Sequence, residues 1–167
     1  GYEPIGIDHF AKPTDPLAVA ARGGGLHRNF QGYTDDGYRT LLGFGCSSIS
    51  RLPAGFAQSV SGIEAYKALI AAGELPTKRG HASSQEDDER GAIVERLMCD
   101  FEVDLGEVAP RYSREMAHLQ PLVEEGLVTT TNSRIRLSEK GRPFVRLVAA
   151  TFDSYRVTGV GQFSTSI

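Results

Sequence analysis

The chain has 167 residues, 40% of them hydrophobic and 23% charged, which is enough apolar material for one ordinary packed domain or two small ones. Eighteen Lys and Arg against 21 Asp and Glu leave a net charge of −3, which removes the general attraction to phosphate backbones that most nucleic-acid binders use, so no nucleic-acid partner is expected. No apolar run reaches the roughly 18 residues of a membrane span and no basic stretch leads into an apolar block, so a cytoplasmic protein without a membrane span is expected.

Residues 1–10 (GYEPIGIDHF) enter directly into an extended pattern with Ile5 and Ile7 on one face, which predicts a strand. Asp15-Pro16 supplies an N-cap and a first-turn proline for a short helix ending near Arg22 at the glycines Gly23, Gly24 and Gly25. Residues 26–34 (LHRNFQGYT) read as a loop. Residues 41–50 (LLGFGCSSIS) read as a strand closing in a turn where the backbone passes close to something, because Gly43 and Gly45 interrupt an apolar run. That Gly-x-Gly has neither the third glycine of a dinucleotide fingerprint nor the Lys-Ser/Thr of a phosphate loop. Ser61-x-x-Glu64 predicts a capped helix with Ile63, Tyr66, Leu69 and Ile70 along one face and Gly73 as its stop.

Residues 75–84 (LPTKRGHASS) are polar and rich in breakers, the best candidate for a junction between domains. Ser84-x-x-Asp87 then opens a helix with an acidic first turn and with Ile93, Val94, Leu97, Met98 and Phe101 spaced for burial. A short helix over 107–112 and a third over 113–125 follow, the latter carrying Met116, Leu119, Leu122 and Val123 inward and ending at Gly126. Residues 127–128, the TTTNS turn and residues 135–137 predict a hairpin, and the last helix carries Phe144, Leu147, Val148 and Phe152. Three helices, a hairpin and a helix is the order of a winged helix. On its third helix Arg114 and His118 are outweighed by Glu115, Glu124 and Glu125, and Pro121 interrupts it, so this winged helix is expected to pack rather than read DNA.

Chemistry-bearing side chains concentrate at Asp8-His9, His27-Arg28-Asn29, Gln31 and Tyr33. Neighbours on a strand face opposite sides, so Asp8 and His9 are not expected to pair. No serine stands in a nucleophile elbow, and Cys46 has no identifiable base. Cys46 and Cys99 lie far apart without a Cys/His cluster, and the four histidines are scattered, so two buried thiols and no protein metal site are expected.

In order and spacing, Asp8-His9-Phe10-Ala11, His27-Arg28-Asn29-Phe30-Gln31-Gly32-Tyr33, Gly43-x-Gly45-x-Ser47-x-Ile49-Ser50, the LMCDF helix and the GLV…LSEKGR hairpin resemble the C-terminal part of the oxygen-independent coproporphyrinogen III oxidases, the HemN family of radical S-adenosylmethionine enzymes. The resemblance covers nearly the whole chain. It implies an α+β fold in which residues 1–78 are the C-terminal remnant of a radical SAM (β/α) partial barrel and residues 79–167 a winged-helix-like, mainly α domain. It implies a heme-biosynthetic oxidoreductase that oxidatively decarboxylates two propionates of coproporphyrinogen III to vinyl groups, giving protoporphyrinogen IX. The family's cofactors are S-adenosylmethionine and a [4Fe–4S] cluster held by a Cys-x3-Cys-x2-Cys motif.

That motif does not occur in these 167 residues, and two distant cysteines do not substitute for three clustered thiolates. The chain alone is therefore expected to bind neither cofactor, to contain no catalytic residue and to be inert. By the resemblance Ile49 lines an S-adenosylmethionine and Gln31 is similarly placed on the substrate side; by residue type alone they read as a core side chain and a loop amide. Arg28 has no family role, but its planar fork suits a substrate propionate. The uncovered barrel seam is expected to drive self-association, and the tail 161–167 to dock. Two alternatives stand beside the oxidase: a heme-trafficking or other HemN-like protein, and a winged-helix DNA-binding regulator.

Overall fold

The computed structural model describes residues 1–156. The expected docking of 161–167 lies outside the described residues. Among the described residues the fold is α+β with no closed barrel, and the chain divides into two compact units: Gly1–Asp36 joined to the chain from Glu89 onward, and Gly37–Asp88.

The larger unit begins with the antiparallel pair β1 (Glu3–Ile5) and β2 (His9–Ala11). Helix α1 (Pro16–Gly23) follows as its signals dictate: the Asp15 carboxylate accepts from the Leu17 amide at 2.9 Å, and Gly24 closes the helix in the left-handed conformation. Residues 26–34 are not a loop. They form a tight hairpin, β3 (His27–Asn29) and β4 (Gly32–Thr34), in which Arg28 faces Tyr33 and the Asn29 side chain caps the turn by accepting from the Gln31 amide at 2.8 Å. Each strand is only three residues long, too short for alternation to be visible, so its polar residues look like loop.

Helix α3 (Gln85–Asp100) starts with the expected capping box: Ser84 Oγ accepts from the Asp87 amide at 3.2 Å, and Asp87 accepts from the Ser84 amide at 2.8 Å. From Ile93 to its end no residue of α3 is exposed. The chain leaves the helix through Phe101, a buried residue at φ 59°, where a glycine is usual, and enters strand β8 (Glu102–Asp104). The 3-10 helix Gly106–Tyr112 precedes α4 (Ser113–His118) and α5 (Gln120–Glu124). The expected single helix over 113–125 is two pieces, because Pro121 at the start of α5 has no N–H to continue the ladder.

Strands β9 (Val128–Thr130) and β10 (Arg134–Leu137) form the expected hairpin, and β8 joins it to give the order β8-β10-β9. A 3-10 turn, Arg142–Phe144, leads into α6 (Val145–Ala150) and leaves Phe144 exposed rather than inward. The main core gathers Leu97, Leu119, Ile135, Val145, Val148 and Phe152, all essentially buried. A second cluster joins Ile5, Ala11, Ala18, Leu26 and Tyr33 to Cys99 of α3. At about 2 kcal/mol for each fully buried large side chain, the packing of residues 1–36 on α3 is a strong bond within this unit.

The smaller unit contains the antiparallel sheet β5 (Ile49–Leu52), β6 (Gly55–Ser59), β7 (Thr77–Ala82) and helix α2 (Ile63–Ala71). Residues 41–48, expected as strand, are mostly irregular, with a single bridge from Leu41 to Arg51; the strand begins only at Ile49. The breaker-rich 75–84, expected to hold a junction between domains, supplies β7, all six of whose residues are exposed. Helix α2 is capped by Gly62 without a side-chain hydrogen bond, so the Ser61-x-x-Glu64 pattern makes no box, and Glu64 pairs instead with Lys67 at 3.1 Å. Within this unit only Gly55 is buried, while Tyr38, Leu42, Phe44, Leu52, Ile63, Ile70 and Leu75 are exposed.

Candidate functional site

In the larger unit, the β3–β4 hairpin projects Phe30 and Gln31 from its tip, both exposed, and its base is tied to α3. One carboxylate oxygen of Glu95 accepts twice, from the Arg28 backbone amide at 3.2 Å and in a 3.1 Å contact with His27 Nδ1. The Tyr33 hydroxyl donates to the Met98 carbonyl at 2.9 Å, which uses an acceptor near the end of α3. Burial pushes the Tyr33 phenol above its ordinary pKa, and the nearby Arg28 guanidinium partly opposes that shift. Arg96 holds the chain just before the hairpin, donating to the Leu26 carbonyl at 2.8 Å while pairing with Asp100 at 2.8 Å.

Arg28 itself lies over the Tyr33 ring, its Cζ 4.7 Å from the centroid. Its Nη1 is enclosed and has no hydrogen-bond partner. Stacking of this kind contributes about 0.5–2 kcal/mol, whereas an unsatisfied buried donor costs about 1–3 kcal/mol, so the two roughly offset.

The turn between β1 and β2 packs against the other side of Tyr33. Gly6, at φ 58°, lies so close that a Cβ there would fall within the Tyr33 ring. His9 meets the ring edge-on at 5.2 Å, and its Nδ1 is 2.8 Å from Asp8 Oδ1. Asp8 and His9 therefore do pair, against expectation: Asp8 stands in the turn before β2 rather than on a strand, so the rule of opposite faces does not govern it. The second Asp8 oxygen lies 3.5 Å from Arg146 of α6.

Ile49 belongs to the smaller unit, where it opens β5, half-buried and opposite Gln58. The glycine-rich segment before it is fixed by polar contacts: the Gly43 amide donates to Ser50 Oγ at 3.0 Å, the Gly45 amide to the Tyr66 hydroxyl at 3.1 Å, and Ser48 Oγ to the Gly45 carbonyl at 2.8 Å. A Cβ on Gly43 would sit 2.8 Å from the Ile49 carbonyl, which is the close backbone approach that the Gly-x-Gly run suggests. Gln31 and Ile49 thus stand on different units, with Gln31 and Arg28 together on one hairpin.

Cys99 is buried, and desolvation pushes its thiol up to about 12, so it is a thiol at neutral pH. Cys46 is half-buried in the smaller unit, not fully buried as expected, because it lies in the irregular segment before β5. Among the described residues no group of three or more His, Cys, Asp or Glu is arranged to hold a metal ion, and no helix is long and apolar enough to cross a membrane. One thiolate-poor, buried cysteine and one solitary cysteine do not fit an iron–sulfur cluster.

Sequence reasoning missed Glu95 and the Asp8–His9 pair. A signal for Glu95 was present: Glu95, Arg96 and Asp100 are charges set within the apolar stretch of α3, and half-buried charges need partners.

The family model for the HemN C-terminal domain matches residues 84–144. The similarity extends well beyond them. The chain is 42% identical over 93% of its length to an oxygen-independent coproporphyrinogen III oxidase of Bradyrhizobium diazoefficiens and covers 36% of that protein. It is 42% identical over 96% of its length to the enzyme of the same name from Paracoccus denitrificans, covering 37% of it. The solved structure of coproporphyrinogen III oxidase (HemN) from Escherichia coli, described as a radical SAM enzyme, superposes with a TM-score of 0.87 at 36% identity, over 93% of this chain and 38% of that one. The chain is thus similar to the C-terminal portion of these oxidases and spans a little over a third of their length. The β1–β2 and β3–β4 hairpins and the segment around Ile49 lie outside the HemN C-terminal domain match.

Proposed function

We propose that this chain is the C-terminal part of an oxygen-independent coproporphyrinogen III oxidase. The observation that carries the reading is the 42% identity over more than nine-tenths of the chain, reaching upstream of residues 84–144. On this reading residues 1–78 continue a radical SAM (β/α) partial barrel, and residues 79–167 form a winged-helix-like domain. The β9–β10 hairpin that follows α3, α4 and α5, with β8 from between α3 and α4 joined to it as a third strand, supports the latter.

The reaction converts each of two propionates to a vinyl group: one hydrogen atom leaves the side chain, the carboxylate departs as CO2, and one electron passes to an acceptor outside this chain. S-adenosylmethionine, when bound in the complete enzyme, supplies the acceptor for that hydrogen atom. Within this chain Gln31, on the larger unit, offers it an exposed carboxamide. Arg28 meets a substrate carboxylate. Its planar fork supports that role, because it pairs bidentately with a carboxylate. The iron–sulfur cluster has no fitting ligands here, so the chain alone is inert. Its exposed apolar side chains in the smaller unit support association with a second copy of itself when it is prepared alone.

The test is anaerobic turnover. The full-length protein carrying this chain, given reductant, S-adenosylmethionine and coproporphyrinogen III, is expected to form protoporphyrinogen IX, read as porphyrin fluorescence after oxidation, while residues 1–167 alone form none. A full-length protein that instead takes up equimolar heme, with a Soret band and no turnover, is a heme-trafficking relative and overturns the reading.

A further inference from the structure

The hairpin that presents Gln31 is not held by its own two short strands. A two-stranded ribbon with three residues on each side is marginal in water, so something outside it must fix its tip. The contacts that do so converge from α3: Glu95 takes the amide at the hairpin's base and the neighbouring imidazole with a single oxygen, and the Met98 carbonyl takes the Tyr33 hydroxyl from the opposite strand. One strand is thereby anchored through its backbone and the other through a side chain, which fixes both the depth and the roll of the ribbon. Glu95 and Met98 lie within the HemN C-terminal domain, whereas the hairpin lies outside it.

We infer that Glu95, with the Tyr33 hydroxyl, is a positioning residue: through the C-terminal domain it sets the β3–β4 hairpin and so the place of the Gln31 carboxamide toward S-adenosylmethionine. The ligand half of this inference rests on the function proposed above; the mechanical half does not. Neither group touches the ligand. Glu95 acts as an acceptor, so a carboxamide of the same shape replaces it and a methyl group does not.

The mechanical half is read by amide hydrogen exchange on the 167-residue chain. Glu95→Ala is expected to speed exchange at the Arg28 amide by about tenfold or more, with a smaller rise across residues 27–34 for Tyr33→Phe, and Glu95→Gln is expected to restore it. Exchange unchanged in Glu95→Ala, or raised equally throughout α3 and α6, overturns the inference. The ligand half is read in the full-length, cluster-loaded protein as the dissociation constant for S-adenosylmethionine by equilibrium dialysis. Gln31→Ala and Glu95→Ala are each expected to weaken binding by about tenfold, with Glu95→Gln close to the parent and the double variant no weaker than either single one. If Gln31→Ala weakens binding and Glu95→Ala does not, the positioning role falls and the functional reading stands. If Gln31→Ala leaves binding unchanged, the role assigned to Gln31 falls, and the ligand half of the inference falls with it.

Discussion

The close approach of Gly6 to Tyr33 makes a quantitative prediction. Gly6→Ala adds a methyl at φ 58°, a conformation that costs an L-residue about 1–2 kcal/mol, and places it within the Tyr33 ring. The ring must withdraw, and overpacking of this kind costs about 1–3 kcal/mol. A displaced ring also lengthens the hydroxyl's bond to the Met98 carbonyl, worth about 1 kcal/mol. The sum is about 4 kcal/mol. Gly24→Ala is the internal control: its φ is 71°, yet no atom lies within 4 Å of its Cβ position, so only the backbone strain remains, about 1 kcal/mol after the gain from a stiffer unfolded chain. Urea unfolding followed by the circular dichroism of the helices, most of which belong to the larger unit, separates the two. With a slope of about 2 kcal/mol per molar, Gly6→Ala lowers the midpoint by about 2 M and Gly24→Ala by about 0.5 M. Combining Gly6→Ala with Tyr33→Ala removes the overlap, so the pair should fall short of additivity by about 2 kcal/mol. Equal midpoints for the two glycine variants, or strict additivity in the double variant, would refute the packing of Tyr33 described here.

Two further predictions concern titratable groups. Burial raises the Tyr112 phenol to about 12, helped by its hydrogen bond to the Glu89 carboxylate, while the unfolded phenol ionises near 10. The folded pKa is the higher, so Tyr112 contributes stability that is fully present below pH 10 and is lost as pH rises toward 12. Absorbance titration near 295 nm should show late phenol ionisation whose amplitude Tyr112→Phe lowers by one tyrosine, leaving the raised Tyr33, and a variant that keeps the full late amplitude contradicts the assignment. The thiol of Cys99 is buried with its pKa pushed up to about 12, and Cys46 is half-exposed, so a thiol reagent at pH 8 should modify Cys46 first and Cys99 only on unfolding. Mass spectrometry of the singly labelled chain showing the adduct on Cys99 would contradict the burial.

Some elements were legible because their signals are local. Asp15-Pro16 with Gly24, and Ser84 with Asp87, fix helix ends by hydrogen bonds between residues a few positions apart, and α1 and α3 begin where those residues say. The hydrophobic spacing of α3 found Ile93, Leu97 and Met98 correctly as core. The β9–β10 hairpin likewise follows from its turn. The hairpin of residues 27–34 failed this test because its strands are short and polar; what stabilises them is Glu95 and Met98, nearly seventy positions away. The β7 strand, which the sequence shows only as a polar, breaker-rich stretch, is held by pairing with β6 rather than by any apolar pattern of its own.

For the candidate site, residue chemistry singles out Arg28, while Gln31 and Ile49 are suspected only through the resemblance to the HemN family, since by residue type they read as a loop amide and a core side chain. Only the tertiary structure decided that Arg28 spends its guanidinium on the Tyr33 face, that Asp8 and His9 pair, and that Gln31 and Ile49 belong to separate compact units. The physical reason is range. Capping, turn chemistry and amphipathic spacing act within about one helical turn and are written in neighbouring residues, whereas the bonds that place a hairpin tip join segments whose separation carries no local trace.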